Sequence, residues 1–201
     1  MSKIKICGLS RPCDIDFVNT VRPDWCGFIL CFPTSRRNVS PGQAAALRAH
    51  LDPAITPVGV FVDQPTELVA KLLLGGVVSV AQLHGHEDAG YISALRSLAP
   101  GYPVWQAFRL RRPEDARAAM DSPADLVVLD SGQGSGQTFD WSLTTGVTRP
   151  FLLAGGLTPD NLPAALRAVH PYGVDLSSGV ETRGYKDLQK MKRAAAAARE
   201  E

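Results

Sequence analysis

The chain has 201 residues, 45% hydrophobic and 20% charged, with a formal net charge of +1. That balance gives no reason to expect nucleic acid or a membrane surface as a partner, and the length suits one domain with a full core. Lys3 and Lys5 interrupt any apolar N-terminal run, and no stretch reads as a bilayer span, so a cytoplasmic protein is expected.

The first strand is expected over residues 3–8 and runs straight into Cys7 and Gly8. A cysteine at a strand's lip has four readings: a small core residue, a metal ligand, a disulfide partner or a catalytic base. Cys7, Cys13, Cys26 and Cys31 show no CxxC spacing and have no neighbouring histidine, which argues against zinc. A reducing compartment argues against disulfides. Cys13, Cys26 and Cys31 are read as buried small hydrophobes.

Seven more strands follow over 25–30, 57–62, 79–85, 104–110, 126–130, 151–156 and 173–179. Their interiors are nearly continuous apolar runs, as parallel strands buried on both faces require. Helices fill the gaps. Ser40-Pro41 and Thr158-Pro159 each read as an N-cap before a proline, and the second precedes Leu162, Ala165, Leu166 and Val169 at helical spacing. Further helices are expected over 65–74, 88–98 and 113–120, with a last one from Lys186 onward. The glycine-rich "SGQGSGQTFDWSLTTG" after Asp130 leaves room for only a very short helix.

Strand starts recur roughly every 22 to 32 residues, the size of a βαβ crossover. Eight such units predict an α/β fold: a compact single-domain (β/α)₈ barrel over 1–201, with a shortened or irregular helix after strand six. An open doubly wound sheet is the rival, but "GLSRP" is no GxGxxG.

Barrel chemistry gathers at the C-terminal ends of strands, where this chain puts its unusual residues. Strand seven leads into Gly155-Gly156 and strand eight into Ser177-Ser178-Gly179. Such loops let backbone N–H groups approach a phosphate; the alternative is that they only make tight turns. Arg36 and Arg37 follow strand two, either as a solvated basic pair or as a clamp on a second anionic group. His84 ends strand four and is read as structural rather than catalytic. "HGHED" fits no strong metal motif.

Together these motifs resemble the phosphoribosylanthranilate isomerase family of tryptophan biosynthesis. The resemblance rests on "KICG" (5–8), "FPTSRRNVSP" (32–41), "GVFV" (59–62), "QLHG" (82–85), "LDSGQGSGQTFDW" (129–141), "LAGGL" (153–157) and "DLSSGVE" with "GYKD" (175–187). It implies a cofactor-free, metal-free Amadori rearrangement of N-(5-phosphoribosyl)anthranilate, a phosphosugar substrate, by a monomer or homodimer. By the same resemblance, Cys7 is the general base and Asp130 the general acid. Arg37 holds the substrate carboxylate, and Gly155, Gly156, Ser177, Ser178 and Gly179 hold the phosphate. The chain departs from the family pattern at Thr34, Arg36 and His86, and reads GSG where GTG is common.

The chemistry asks for opposite shifts. A carboxyl that titrates at roughly 3.9 must hold a proton near neutrality, and a thiol that titrates at roughly 8.5 must lose one. Lys5 or nearby helix N-termini are expected to lower Cys7. Asp140 is expected to hold the glycine loop or cap its short helix. Two alternatives are another phosphosugar barrel isomerase and a non-catalytic phosphate-binding barrel. The first would carry paired aspartates at strands one and six, where this chain has Cys7 and Asp130.

Overall fold

The eight apolar runs lie side by side as parallel strands and close on themselves. In the computed structural model, which describes residues 2–130 and 141–200, the barrel strands are β1 (Lys3–Cys7), β2 (Trp25–Leu30), β3 (Thr56–Phe61), β4 (Val80–Leu83), β5 (Val104–Arg109), β6 (Leu126–Asp130), β7 (Phe151–Ala154) and β8 (Gly173–Leu176). Each pairs with its successor, and β1 pairs with both β2 and β8, which closes the (β/α)₈ barrel. The register sets Lys5 opposite Asp175 and Cys7 opposite Gly27.

Seven α-helices wrap this barrel among the described residues: α1 (Pro12–Val21), α2 (Pro41–Arg48), α3 (Thr66–Leu74), α4 (Ala89–Leu98), α5 (Pro113–Asp121), α6 (Leu162–Val169) and α7 (Leu188–Glu200). Local chemistry starts them. Ser40 and Gln43 form a reciprocal capping box on α2, and the Asp88 carboxylate accepts the Tyr91 N–H at the head of α4. After β6 the only helical turn described is the 3₁₀ segment Trp141–Thr144, matching the short helix expected there. The rest of the glycine-rich stretch, residues 131–140 with Asp140, lies outside the described residues.

Several expected boundaries move. Helix α6 begins at Leu162, because Thr158 and Asn161 bond each other reciprocally in a turn: Asn161 Oδ1 accepts the Thr158 N–H, and Thr158 Oγ1 accepts the Asn161 N–H. Helix α7 begins at Leu188, because Tyr185–Lys186 instead pairs with Glu181–Thr182 as a small antiparallel hairpin. Strands β4, β7 and β8 stop two or three residues early, so His84, Gly155, Gly156 and Ser177 to Gly179 all stand in loops beyond strand ends.

Two layers of packing follow from strand alternation. Outward residues such as Ile4, Ile6, Phe28, Leu83 and Leu153 pack under the helices in the main core. Inward residues Val58, Val80, Trp105, Leu126, Val128 and Leu152 plug the barrel interior, where Trp25 meets Trp105 edge to face at 5.2 Å. These side chains fill the lower half of the barrel interior, and above them a cavity opens at the mouth. Cys26 is fully buried as expected, but Cys13 and Cys31 are only half-buried.

Candidate active site

At the C-terminal mouth the inward positions turn polar. Cys7, Gln82, His84, Arg109, Asp130 and Asp175 surround one cavity of about 310 Å³, joined by Arg37 and the loops at Gly155-Gly156 and Ser177–Gly179. That volume falls in the usual range for small-molecule sites, about 300–1,000 Å³. All eight residues expected to act are therefore at one cavity, although they come from five separate regions of the chain.

Cys7 is the last residue of β1 and is 8% exposed. Its place depends on Gly27 beside it: a Cβ there would come within 2.7 Å of the Cys7 sulfur. Its thiol departs from the sequence expectation. Burial pushes it above the ordinary thiol range, and this outweighs the pull of the Lys5 charge, which acts in the expected direction. Lys5 lies deeper in the barrel, fully buried, and donates to Asp175 at 2.7 Å.

Asp130 ends β6, with its side chain about one-fifth exposed. His84 Nε2 lies 3.5 Å from Asp130 Oδ2. The histidine thus stands on the cavity wall, beside the expected acid. His86 points elsewhere: its Nδ1 meets the Asp63 carboxylate at 2.9 Å on the open surface. Among the described residues no group of three or more histidine, cysteine, aspartate or glutamate side chains could hold a metal ion.

The two arginines separate. Arg37 lines the cavity with its side chain 19% exposed, whereas Arg36 is 60% exposed and lies outside it. Both bond Glu181, Arg37 through Nε at 2.6 Å and Nη2 at 2.8 Å, and Arg36 through Nη2 at 2.6 Å. Lys186 adds a third cation at 2.7 Å. Burial by itself would raise Glu181, yet the bonds from Arg37 and Lys186 prevail and hold its carboxyl down at about 2. A carboxylate fixed in this way orients the Arg37 fork. Arg37→Ala is therefore expected to raise KM by roughly 10–100-fold, the worth of a hydrogen bond to a charged group. Arg36→Ala is expected to change KM far less. Steady-state kinetics of the two variants checks this, and a larger effect at Arg36 would contradict it.

The loops after β7 and β8 meet at the cavity's far wall. Gly155 and Gly156 take φ of 86° and 64°, a left-handed pair that turns the chain sharply. Gly179 leaves no room for a side chain: a Cβ there would collide with the Leu157 carbonyl, so the two loops are in direct backbone contact. A 3₁₀ turn, Ser178–Val180, starts beside them, and the Ser177 hydroxyl donates to the Cys7 carbonyl at 3.1 Å. This arrangement of small residues suits an anion.

Five residues on or behind the cavity were not singled out from the sequence: Gln82, Arg109, Asp175, Glu181 and Lys186. Four of them lay within quoted motifs, "QLHG", "DLSSGVE" and "GYKD". What was missing was a sign that their side chains face inward, which depends on strand register and on the hairpin. Arg109 ends an ordinary strand and carried no such signal.

The family model described as N-(5'-phosphoribosyl)anthranilate (PRA) isomerase matches residues 4–196. The N-(5'-phosphoribosyl)anthranilate isomerase of Thermoanaerobacter sp. (strain X514) is 40% identical over 199 residues, covering 96% of this chain and 95% of its own length. A crystal structure of phosphoribosyl anthranilate isomerase in complex with reduced 1-(o-carboxyphenylamino)-1-deoxyribulose 5-phosphate is similar with a TM-score of 0.88 and 30% identity, covering all of both chains. A structure of monomers generated from the dimeric enzyme of Thermotoga maritima is similar with a TM-score of 0.87 and 31% identity, again over the whole of both chains.

Proposed function

The chain belongs to the N-(5'-phosphoribosyl)anthranilate isomerase family, enzymes of tryptophan biosynthesis, and from that premise we propose that residues 1–201 form one catalytic barrel in which Cys7 is the base and Asp130 the acid of an Amadori rearrangement. One observation carries the reading. A single cavity holds a thiol, a carboxyl, an arginine fork and a small-residue anion cradle, which is the set that a substrate with a carboxylate, a furanose and a phosphate requires.

The substrate is N-(5-phosphoribosyl)anthranilate, with its phosphate at the loops 155–156 and 177–179 and its carboxylate at Arg37. Two anchored ends fix the sugar between β1 and β6, so orientation costs nothing further at the moment of reaction. Asp130 protonates the ring oxygen. The C1–oxygen bond breaks and the anthranilate nitrogen forms a C=N bond with C1. The Cys7 thiolate then takes the C2 proton, and the electron pair moves through C1 to nitrogen to give an enolamine. Proton transfer to C1, with loss of the proton on the C2 oxygen, leaves the ketone. The product is 1-(2-carboxyphenylamino)-1-deoxyribulose 5-phosphate. Atoms and electrons balance within the substrate, so the chemistry calls for no external electron carrier.

The test is turnover: phosphoribosylanthranilate generated in situ, with its fluorescence followed after addition of the protein. The expected result is a decay far faster than the spontaneous one. Binding of a product analogue without that decay would instead mean a non-catalytic phosphate-binding barrel. Among the described residues no helix is long and apolar enough to cross a membrane. We place the reaction in the cytoplasm, where the substrate class would be met.

A further inference from the structure

We propose that the buried Lys5–Asp175 pair sets the charge state of Cys7, with Lys5 as a positioning residue that steadies the thiolate and Asp175 as the anchor that keeps Lys5 beneath it. The proposal rests on the reading of Cys7 as the base. A lysine with no exposure at all is a costly thing to keep inside a barrel. Elsewhere in the interior the same inward positions carry Val58, Val80, Val128 and Leu152. Packing alone would be met by another aliphatic residue. Instead the β1–β8 register sets Lys5 and Asp175 side by side, 2.7 Å apart, two residues below Cys7 on the inward face of the same strand.

The pair is also not closed on itself. Asp175 gives one oxygen to Lys5, while its Oδ1 is buried with no hydrogen-bond partner among the described residues, and the residue lines the cavity. A salt bridge kept only for stability would satisfy both oxygens. A buried carboxylate oxygen with no partner among the described residues, on a residue that lines the same cavity as the base, marks the pair as part of the site.

The other groups acting on Cys7 do not do the same job. Lys186 is committed to Glu181 and to the Ser177 carbonyl, and Arg37 is bidentate on that same Glu181. Their charge is largely compensated before it reaches the sulfur. Cys26 on β2 is a buried thiol, pushed up to about 12 chiefly by burial, and stays neutral. Lys5 is left as the principal cation acting on Cys7, with Asp175 opposing it. Burial works against the Lys5 charge, but Asp175 and Cys7 outweigh it and favour the ammonium.

The experiment measures the thiol directly. In a Cys13→Ser, Cys31→Ser background, iodoacetamide alkylation of Cys7 is followed by peptide mass as a function of pH, beside the pH profile of kcat/KM. Lys5→Met is expected to move the alkylation midpoint upward by about 1–3 pH units, the effect of removing an opposite charge at close range. The kcat/KM limb should move with it. Asp175→Asn keeps an oxygen that can accept the Lys5 hydrogen bond, and the Cys7 thiolate itself favours the ammonium, so the anchor stays while the opposing negative charge goes, and the midpoint is expected to move downward. Loss of packing alone would not produce shifts of opposite sign. An Asp175→Asn midpoint that stays put or rises overturns the proposal, even where Lys5→Met does not fold. The alkylation midpoint reads the charge pair, and turnover by Cys7→Ala reads the base, so the two ideas fail separately.

Discussion

Cys7→Ser is expected to lower kcat by about 10²–10⁴-fold, the usual worth of a positioned base, while leaving product-analogue binding within a few-fold of the parent. Serine keeps the shape and its hydroxyl can still bond, but it does not ionise near neutrality. The half-exposed cysteines serve as controls, and Cys13→Ser and Cys31→Ser should retain nearly full activity. The pH profile has a definite sign. Burial holds the Cys7 thiol above its ordinary range, and only the thiolate takes the C2 proton. In the free enzyme kcat/KM should therefore rise with pH above neutrality and level off once the thiolate is formed. The Ser variant should lose that limb. Full turnover by Cys7→Ala would remove the base from this residue.

The second large effect is at Asp130. Asp130→Asn preserves size and polarity but has no proton to give the ring oxygen. kcat and kcat/KM should fall together by about 10²–10⁴-fold with little change in binding, the pattern of an interaction made only in the transition state. Asp140→Asn is the comparison, since that aspartate lies at the end of the same sequence segment, and a smaller loss is expected there. Should Asp140→Asn abolish turnover while Asp130→Asn stays near the parent, the acid is not Asp130. His84, 3.5 Å from Asp130 Oδ2, adds a graded expectation. His84→Gln keeps a polar contact on that wall and should cost less than Asp130→Asn in the same assay.

Much of this molecule was legible before folding was considered, because barrel strands and helix starts are written locally. Runs of apolar residues on both strand faces, Ser40 with Gln43, and Asp88 before its helix each carry their instruction within a few residues. The fold class, the eight strands and the side of the barrel that bears the polar residues all follow from such local signals. So do Cys7, Asp130, Arg37 and the two small-residue loops as candidates, once their motifs are seen to stand at strand ends. Tertiary structure decided what depends on distant partners. Arg36 and Arg37 are alike in residue type, and only the family resemblance favours Arg37; both reach Glu181, 144 residues from Arg37, and it is the cavity wall that tells them apart. Lys5 and Asp175 are separated by 170 residues and meet only when β1 closes on β8. The direction of the Cys7 shift belongs to the same class. A sequence shows the lysine two positions away but not the depth of burial, and desolvation grows with everything packed around the sulfur, the β2 backbone at Gly27 included.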